Sequence, residues 1–65
     1  MLSNREKEVL GLISEELTTK EIASKLGLSI STIESHRRNL FQKLKAKSSV
    51  GLIKEAIKIG LLTEL

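Results

Sequence analysis

The segment TKEIASKLGLSISTIESHRR, residues 19–38, constrains the fold of this chain more than any other feature. It contains two short helical patterns joined by Gly27, Leu28 and Ser29. Two helices that meet at a steep angle across so short a turn bring their backbones close together, which favours glycine in the turn and a small residue on the helix before it. Gly27 and Ala23 meet these requirements. The pattern predicts a helix-turn-helix, although an ordinary helical hairpin in a small bundle stays open at this point.

Capping signals divide the whole chain into four predicted helices. Two pairs have the spacing of a capping box, in which each residue's side chain bonds the other's backbone N–H: Ser3 with Glu6, and Thr18 with Glu21. The predicted helices end near Glu15, at Gly27, near Leu44 and at Gly60, and the last two begin at Ser29 and at Ser48 or Ser49. No strand pattern interrupts them. We therefore expect an all-α fold, organised as one domain over residues 1–65.

Composition excludes several classes of function. The chain has 65 residues, no cysteine, no aspartate and a single histidine, His36. So short a chain buries too little apolar surface for both a core and a deep catalytic cleft. The usual ligand sets for zinc or calcium are missing, and Ser35 beside His36 is no dyad because adjacent helical residues point about 100° apart. We expect no enzyme activity, no metal site and no cofactor.

The net charge of +3 is unevenly distributed. Residues 29–47 contain five Lys and Arg side chains against one Glu, whereas residues 1–17 contain two against four. A localised basic surface favours a polyanionic partner, because Lys and Arg replace the counterions condensed along phosphates. A solvated surface of no function would also account for the charge alone. No apolar run is long enough for a membrane span or a signal peptide, so we expect a cytoplasmic protein, associated with the nucleoid if it binds DNA.

The third predicted helix has three distinct faces when its residues are placed at about 100° intervals. Its core arc and the two apolar residues that flank it are Ile33, Leu40, Leu44, Ile30 and Phe41. A polar face lies opposite, with Glu34 at its edge: Ser31, Ser35, Arg38 and Gln42. A stripe of groups able to donate to phosphate oxygens follows one flank: Thr32, His36, Asn39 and Lys43. Arg37 lies near the core arc and is expected to lay its aliphatic stem along the bundle.

The fourth predicted helix has two apolar stripes. One contains Val50, Ile53, Ile57 and Leu61, and the nearly opposite one contains Leu52, Ala56 and Ile59. A helix that is apolar on two sides usually packs against two neighbours. We assign Leu52, Ala56 and Ile59 to a dimer interface. The alternative is that the helix buries both stripes in its own domain.

At this point the chain resembles a known family. The run LSNREKEVLGLISEELTTKEIASKLGLSISTIESHRRNLFQKLKAKS, followed by VGLIKEAIKIGLL, closely resembles the LuxR-type, or GerE-like, DNA-binding domain of bacterial transcription regulators. The most specific parts are LSNREKEVL, KEIASKL, STIESH and QKLKAKS, and the resemblance covers essentially the whole chain. It implies a three-helix core plus a C-terminal fourth helix that often supports dimerisation, with the third helix in the major groove of double-stranded DNA. It also implies that a receiver or ligand-sensing domain commonly precedes this domain in a longer protein.

The family's functional positions can be carried over to this sequence. The resemblance implies that the base-reading residues are Glu34, Ser35 and Arg38. It implies that the residues contacting the DNA backbone are Thr19, Lys20, Thr32, His36 and Lys43. These residues coincide with the polar face and the flanking stripe of the third helix, apart from the two that begin the second helix.

Three positions depart from the family pattern. Glu16 and Lys45 replace glycines that usually follow the first and third helices, so both are expected to be strained or differently capped. Glu34 stands where many relatives carry a basic residue. An acid there can accept from cytosine N4, or it can form an i, i+4 ion pair with Arg38, and the sequence leaves both possibilities open.

Two other classes of protein compete with the DNA-binding interpretation. A helix-turn-helix of the sigma-factor region 4 type shares the scaffold pattern but does not explain the KLKAKS segment or the fourth helix. A protein-interaction bundle that uses the fourth helix leaves the polar, basic third helix unexplained. We therefore predict sequence-specific DNA binding by the effector domain of a bacterial transcription regulator, acting as a homodimer.

Overall fold

The computed structural model describes residues 2–63, and in that range the chain forms four α-helices and no strand. These helices are α1 (Asn4–Ser14), α2 (Thr19–Leu26), α3 (Ile30–Lys43) and α4 (Ser49–Lys58). The predicted all-α fold is confirmed. Helix α4 ends two residues earlier than expected, because Gly60 takes part in the turn after the helix and not in the helix itself.

All four helices begin at a hydroxyl cap. Ser3 and Thr18 form the two predicted capping boxes, and Ser29 caps α3 through a hydrogen bond from the backbone N–H of Thr32 at 3.1 Å. Ser48, and not Ser49, caps α4 by accepting from the backbone N–H of Gly51 at 3.1 Å. Each cap satisfies one of the N–H groups that the first turn of a helix leaves without an intrahelical partner.

All four helices also end in the same way, with one residue in the left-handed backbone conformation. These residues are Glu16 (φ 66°), Gly27 (φ 69°), Lys45 (φ 54°) and Gly60 (φ 84°). The residue after each donates its backbone N–H to a carbonyl five residues earlier, the bond of a Schellman motif. The four bonds are Leu17 to Leu12 (3.2 Å), Leu28 to Ala23 (3.0 Å), Ala46 to Phe41 (3.0 Å) and Leu61 to Ala56 (2.8 Å). Glu16 and Lys45, which were expected to be either strained or differently capped, therefore adopt the strained positive φ.

The residue after each left-handed position is apolar and packs against the core. Leu17, Leu28, Ala46 and Leu61 are all part-buried there. The core itself draws buried side chains from every helix and from the end of α3: Val9, Leu10, Leu12, Ile13, Ile22, Ala23, Ile33, Leu40, Leu44, Leu52 and Ala56. Each turn thus satisfies backbone groups and adds an apolar side chain that packs against the core, and the first three turns thereby help to set the direction of the helix that follows.

The assignment of Leu52 and Ala56 to a dimer interface was wrong. Both side chains are completely buried, with 0% exposure, in the core of their own domain. The sequence showed two apolar stripes on α4 but not which of them faces the other helices. Ile59, by contrast, follows the end of α4 and is 51% exposed, so its assignment to a dimer interface stays a prediction.

Candidate DNA interface

The outward face of α3 is open along its whole length. Its members are all exposed: Ser31, Glu34, Ser35, Arg38 and Gln42. Ile33 and Leu40, on the opposite side of the helix, are 0% exposed and hold it against the rest of the domain. The three residues that we expected to read bases, Glu34, Ser35 and Arg38, therefore lie together on one accessible surface.

Hydroxyl groups cluster at the N-terminus of α3. The Ser29 hydroxyl lies 2.8 Å from the Thr32 hydroxyl and 3.3 Å from the Ser31 hydroxyl. The start of a helix also carries partial positive charge from its aligned peptide dipoles. Hydrogen-bonding groups and a favourable dipole therefore meet at this end of α3, an arrangement suited to phosphate oxygens.

The N-terminus of α2 offers a second group of polar residues. Thr18 caps this helix, and its backbone N–H donates to Glu21 Oε1 at 2.8 Å. Thr19 is half-buried and Lys20 is exposed, so only the lysine presents its full side chain to solvent. The hydrogen bond from the Thr18 N–H lowers the pKa of Glu21 below its usual value of 4.5 and keeps this carboxylate charged.

The two arginines of α3 have different surroundings. Arg37 is half-buried and its guanidinium carbon lies 5.8 Å from the centre of the Phe41 ring, within cation–π range. Its partial burial agrees with the expected position near the core, but the contact seen is one of its guanidinium with Phe41 of the same helix. Arg38 is exposed, and no salt bridge joins it to Glu34 in the described part of the chain. The i, i+4 ion pair is not formed, which leaves both side chains available to a ligand.

The donor stripe on the flank of α3 is less uniform than the sequence indicated. Thr32 and His36 are half-buried, whereas Asn39 and Lys43 are exposed. Lys43 also makes a contact that the sequence did not reveal, because its ammonium nitrogen lies 2.9 Å from Glu6 Oε1. The end of the third helix is thereby tied to the start of the first.

Glu6 is the acceptor at the centre of this contact. It is only 3% exposed, and its Oε1 atom accepts from Lys43 and, at 2.8 Å, from the backbone N–H of Ser3. The hydrogen bond from Lys43 and then that from Ser3 lower the pKa of Glu6 below 4.5, against the opposing effect of burial. The capping box was predicted from its spacing, but a bond between residues 37 positions apart has no local sequence signal.

Two other kinds of site are absent from the described residues. No helix in residues 2–63 is long and apolar enough to cross a membrane. The same residues contain no group of three or more side chains arranged to hold a metal ion. The outward face of α3 and the start of α2 form the candidate site, because they carry the exposed polar residues described above.

Curated relatives are longer proteins with regulatory names. The chain is 48% identical over 62 residues to an uncharacterized response regulatory protein, YgeK, of Escherichia coli K12, covering 95% of this chain and 42% of that protein. It is 45% identical over 62 residues to the oxygen regulatory protein NreC of Staphylococcus carnosus, covering 95% of this chain and 29% of that one. It is 41% identical over 64 residues to the transcriptional regulatory protein MctR of Rhizobium johnstonii, covering 98% of this chain and 30% of that protein. The chain thus spans less than half the length of these relatives.

A solved structure and a family model agree with these similarities. The response regulator ChrA of a heme-sensing two-component system superimposes with a TM-score of 0.91 at 29% identity, covering 95% of this chain and 31% of that one. The GerE model, described as bacterial regulatory proteins of the luxR family, matches residues 1–56. Such domains belong to transcription regulators, which are not a class of enzymes. The predicted resemblance is confirmed, and the chain belongs to the LuxR family of helix-turn-helix domains found in bacterial transcription regulators.

Proposed function

We propose that this domain binds a specific double-stranded DNA sequence by placing α3 in the major groove. The observation that carries the proposal is the outward face of α3, which combines the exposed groups of Glu34, Ser35 and Arg38 with a rigid, buried opposite face. An α-helix fits the major groove, where each base pair presents a distinct set of donors and acceptors. Arg38 would donate to guanine O6 and N7, and Glu34, which has no salt bridge to Arg38, would accept from cytosine N4.

Contacts to the DNA backbone would orient the helix in the groove. Our candidates are the residues at the start of α2 and on the flank of α3: Thr19, Lys20, Thr32, His36 and Lys43. The partial positive charge at the starts of both helices supports the assignment of Thr19, Lys20 and Thr32, because it favours phosphate groups. His36 and Lys43 lie further along α3, and Lys43 also bonds Glu6. Such contacts carry affinity and salt dependence but not base preference.

Selection of bound sequences from a random pool of double-stranded DNA tests the function. We expect one enriched motif for the wild type. Arg38→Ala should lose about 1–3 kcal/mol on that motif and relax the preference at one base pair. Equal losses on the motif and on random DNA would exclude a reading role for Arg38, and failure to enrich any motif would contradict specific binding.

A matched pair of lysine variants separates backbone contacts from general charge. Lys20→Ala should weaken binding to all sequences and reduce the slope of log K against log salt by about 0.9, because one phosphate contact is lost. Lys58→Ala removes the same charge from the exposed last residue of α4 and should leave the slope almost unchanged. Equal slopes for the two variants would remove Lys20 from the phosphate contacts.

We propose further that the domain binds DNA as a homodimer through the exposed part of α4. Val50 is 65% exposed, and Ile53 and Ile57 follow it on the same side of the helix and are half-buried. This stripe replaces Leu52 and Ala56 as the candidate interface. Paired domains would address half-sites about 10 bp apart, one turn of DNA.

Val50→Glu tests the dimer, because so exposed a side chain contributes little to the fold. We expect weaker binding to DNA with two half-sites, unchanged binding to a single half-site and an unchanged melting temperature. Val50→Thr keeps the shape of the side chain and serves as the control. A Val50→Glu domain that binds paired sites as tightly as the wild type would contradict the interface.

The relatives also bear on the rest of the protein. This chain covers 42%, 30% and 29% of three curated relatives, all of which carry the names of regulatory proteins. We therefore propose that the domain is the effector part of a regulator that also contains a receiver or sensor domain. Full-length protein with and without its upstream signal, compared for binding to the selected motif, tests this.

A further inference from the structure

One apolar side chain on the DNA-facing helix has no role in the contacts described so far. The large apolar side chains that are strongly exposed within residues 2–63 are Ile30 (47%), Val50 (65%) and Ile59 (51%). Val50 and Ile59 belong to α4 or follow it, whereas Ile30 is the first residue of α3. We had expected Ile30 to flank the core, but almost half of its surface meets solvent.

Ile30 begins a row on the surface of α3 that continues with two proposed base-reading residues, Glu34 and Arg38. Residues four apart are neighbours on a helix surface, so Ile30 lies next to Glu34 and Glu34 lies next to Arg38 in one row that winds slowly around the helix. Glu34 and Arg38 are both exposed. Ile30 therefore begins the row whose next two members we propose to face the base pairs, and the N-terminal part of a recognition helix is the part that commonly contacts base edges.

Ile30 has polar neighbours and a stiff side chain, and both features favour an apolar contact with a ligand. Its neighbours in sequence, Ser29 and Ser31, carry hydroxyls 3.3 Å apart. Ile30 can make no hydrogen bond with its side chain, so it cannot join that polar group or bind phosphate. A β-branched side chain in a helix has one strongly preferred χ1 rotamer, so little side-chain freedom is lost when it meets a ligand.

The most prominent apolar group on the major-groove edge of the base pairs suits such a side chain. Among the donors and acceptors there, the C5-methyl of thymine is the apolar group. We infer that Ile30 is a specificity-determining residue that contacts the C5-methyl group of a thymine. The inference rests on the proposed function, because it requires α3 to lie in the major groove.

Helix geometry limits where this thymine lies. Ile30 and Arg38 are eight residues apart, which at 1.5 Å per residue is about 12 Å along the helix. One base pair occupies about 3.4 Å of the DNA axis, so the thymine lies no more than about four base pairs from the pair that Arg38 reads. The relaxed preference of the Arg38→Ala variant in the selection identifies that pair.

Deoxyuridine provides the test, because it differs from thymidine only in lacking the C5-methyl group. Each thymidine of the selected motif is replaced in turn, and binding is measured for the wild type, Ile30→Ala and Ile59→Ala. For the wild type we expect one replacement within this window to weaken binding about four-fold, the effect of losing one buried methyl group. Ile30→Ala should bind the thymidine and deoxyuridine forms of that site almost equally.

Ile59→Ala is the matched control, because it truncates the same side chain at almost the same exposure outside α3. It should retain the four-fold difference whatever its overall affinity. Melting temperatures of the variants confirm that each is folded. The inference is supported only if the deoxyuridine effect disappears in Ile30→Ala and persists in Ile59→Ala.

The outcomes separate this inference from the function on which it rests. A motif with no thymine in the window, or a deoxyuridine effect that persists in Ile30→Ala, overturns the role of Ile30 and leaves DNA reading by α3 intact. Failure to enrich any motif overturns both.

Discussion

The two capping boxes have the same internal geometry but different surroundings. In each, the cap backbone N–H lies 2.8 Å from a glutamate oxygen and the glutamate N–H lies 3.1 Å from the cap hydroxyl. Glu21, at the start of α2, is exposed, whereas Glu6, at the start of α1, is buried and bonded to Lys43 at the end of α3. The same four-residue motif is a local helix start in one place and a tertiary link in the other.

This difference matters for the proposed DNA reading. Buried Ile33 and Leu40 hold α3 against the other helices by apolar packing. Such packing is not directional, so it does not by itself fix the orientation of the helix. The Glu6–Lys43 bond adds a directional contact that fixes the end of α3 relative to the start of α1. We therefore expect Glu6 to affect DNA affinity without lying on the proposed DNA-facing surface.

Removing the buried glutamate should have the largest effect. Glu6→Ala loses the bond that completes the capping box and leaves Lys43 without this carboxylate, so the free energy of unfolding should fall by about 2–3 kcal/mol. Glu21→Ala, which loses an exposed cap alone, should cost distinctly less. Urea unfolding of both variants measures the difference. Equal losses would show that burial and Lys43 add nothing to the first box.

Truncating Lys43, the partner of Glu6, should lower the free energy of unfolding by an intermediate amount. Lys43→Ala should cost about 1–2 kcal/mol, less than Glu6→Ala because the Lys43 side chain is 44% exposed and solvent screens its charge. A double-mutant cycle between Glu6 and Lys43 should give a positive coupling energy, and one between Glu21 and Lys43 should give none. Additive losses in the first cycle would show that the pair is not coupled in solution.

Low pH should change the stabilising contributions of the two capping boxes to different extents, and this difference should be smaller than the effects of the substitutions above. A carboxyl with a lowered pKa in the folded state stabilises the fold above its unfolded pKa, and this contribution is lost as the pH falls through the folded value. The pKa of Glu6 is lowered from 4.5, so the stability difference between the wild type and Glu6→Gln should shrink as the pH falls below about 4.5. Glu21→Gln should show a weaker trend. Unfolding free energies measured from pH 7 to pH 3 test this, and a difference independent of pH would contradict the role of the ionised Glu6.

Local features could be predicted from the sequence because the bonds that create them join residues close in the chain. Hydrogen bonds across three residues form the caps at Ser3, Thr18 and Ser29. The missing glycines at Glu16 and Lys45 predicted either strain or a different cap, and the bonds that close these two turns span five residues. The polar face of α3 followed from helical periodicity alone. The family could be predicted because several local motifs occurred together in the right order.

Features that depend on distant parts of the chain were missed. The stripe with Leu52 and Ala56 was assigned to a dimer interface and not to the core. Two apolar stripes look alike in sequence until the position of the other helices is known. The Glu6–Lys43 bond had no signal in either helix, and the half-exposure of Ile30 depends on how α3 sits against its neighbours. Which residues contact DNA stays a prediction.

The two non-glycine residues in the left-handed conformation, Glu16 after α1 and Lys45 after α3, lower the thermal stability of this domain. A side chain at positive φ costs about 1–2 kcal/mol, and glycine there avoids that cost but loses part of the gain through its greater freedom in the unfolded chain. A net gain of about 0.5 kcal/mol would raise the melting temperature of so small a domain by about 2–4 °C. Glu16 and Lys45 are both exposed and lie outside α3, so glycine at either position is a route to a more heat-resistant domain whose proposed reading surface is unaltered.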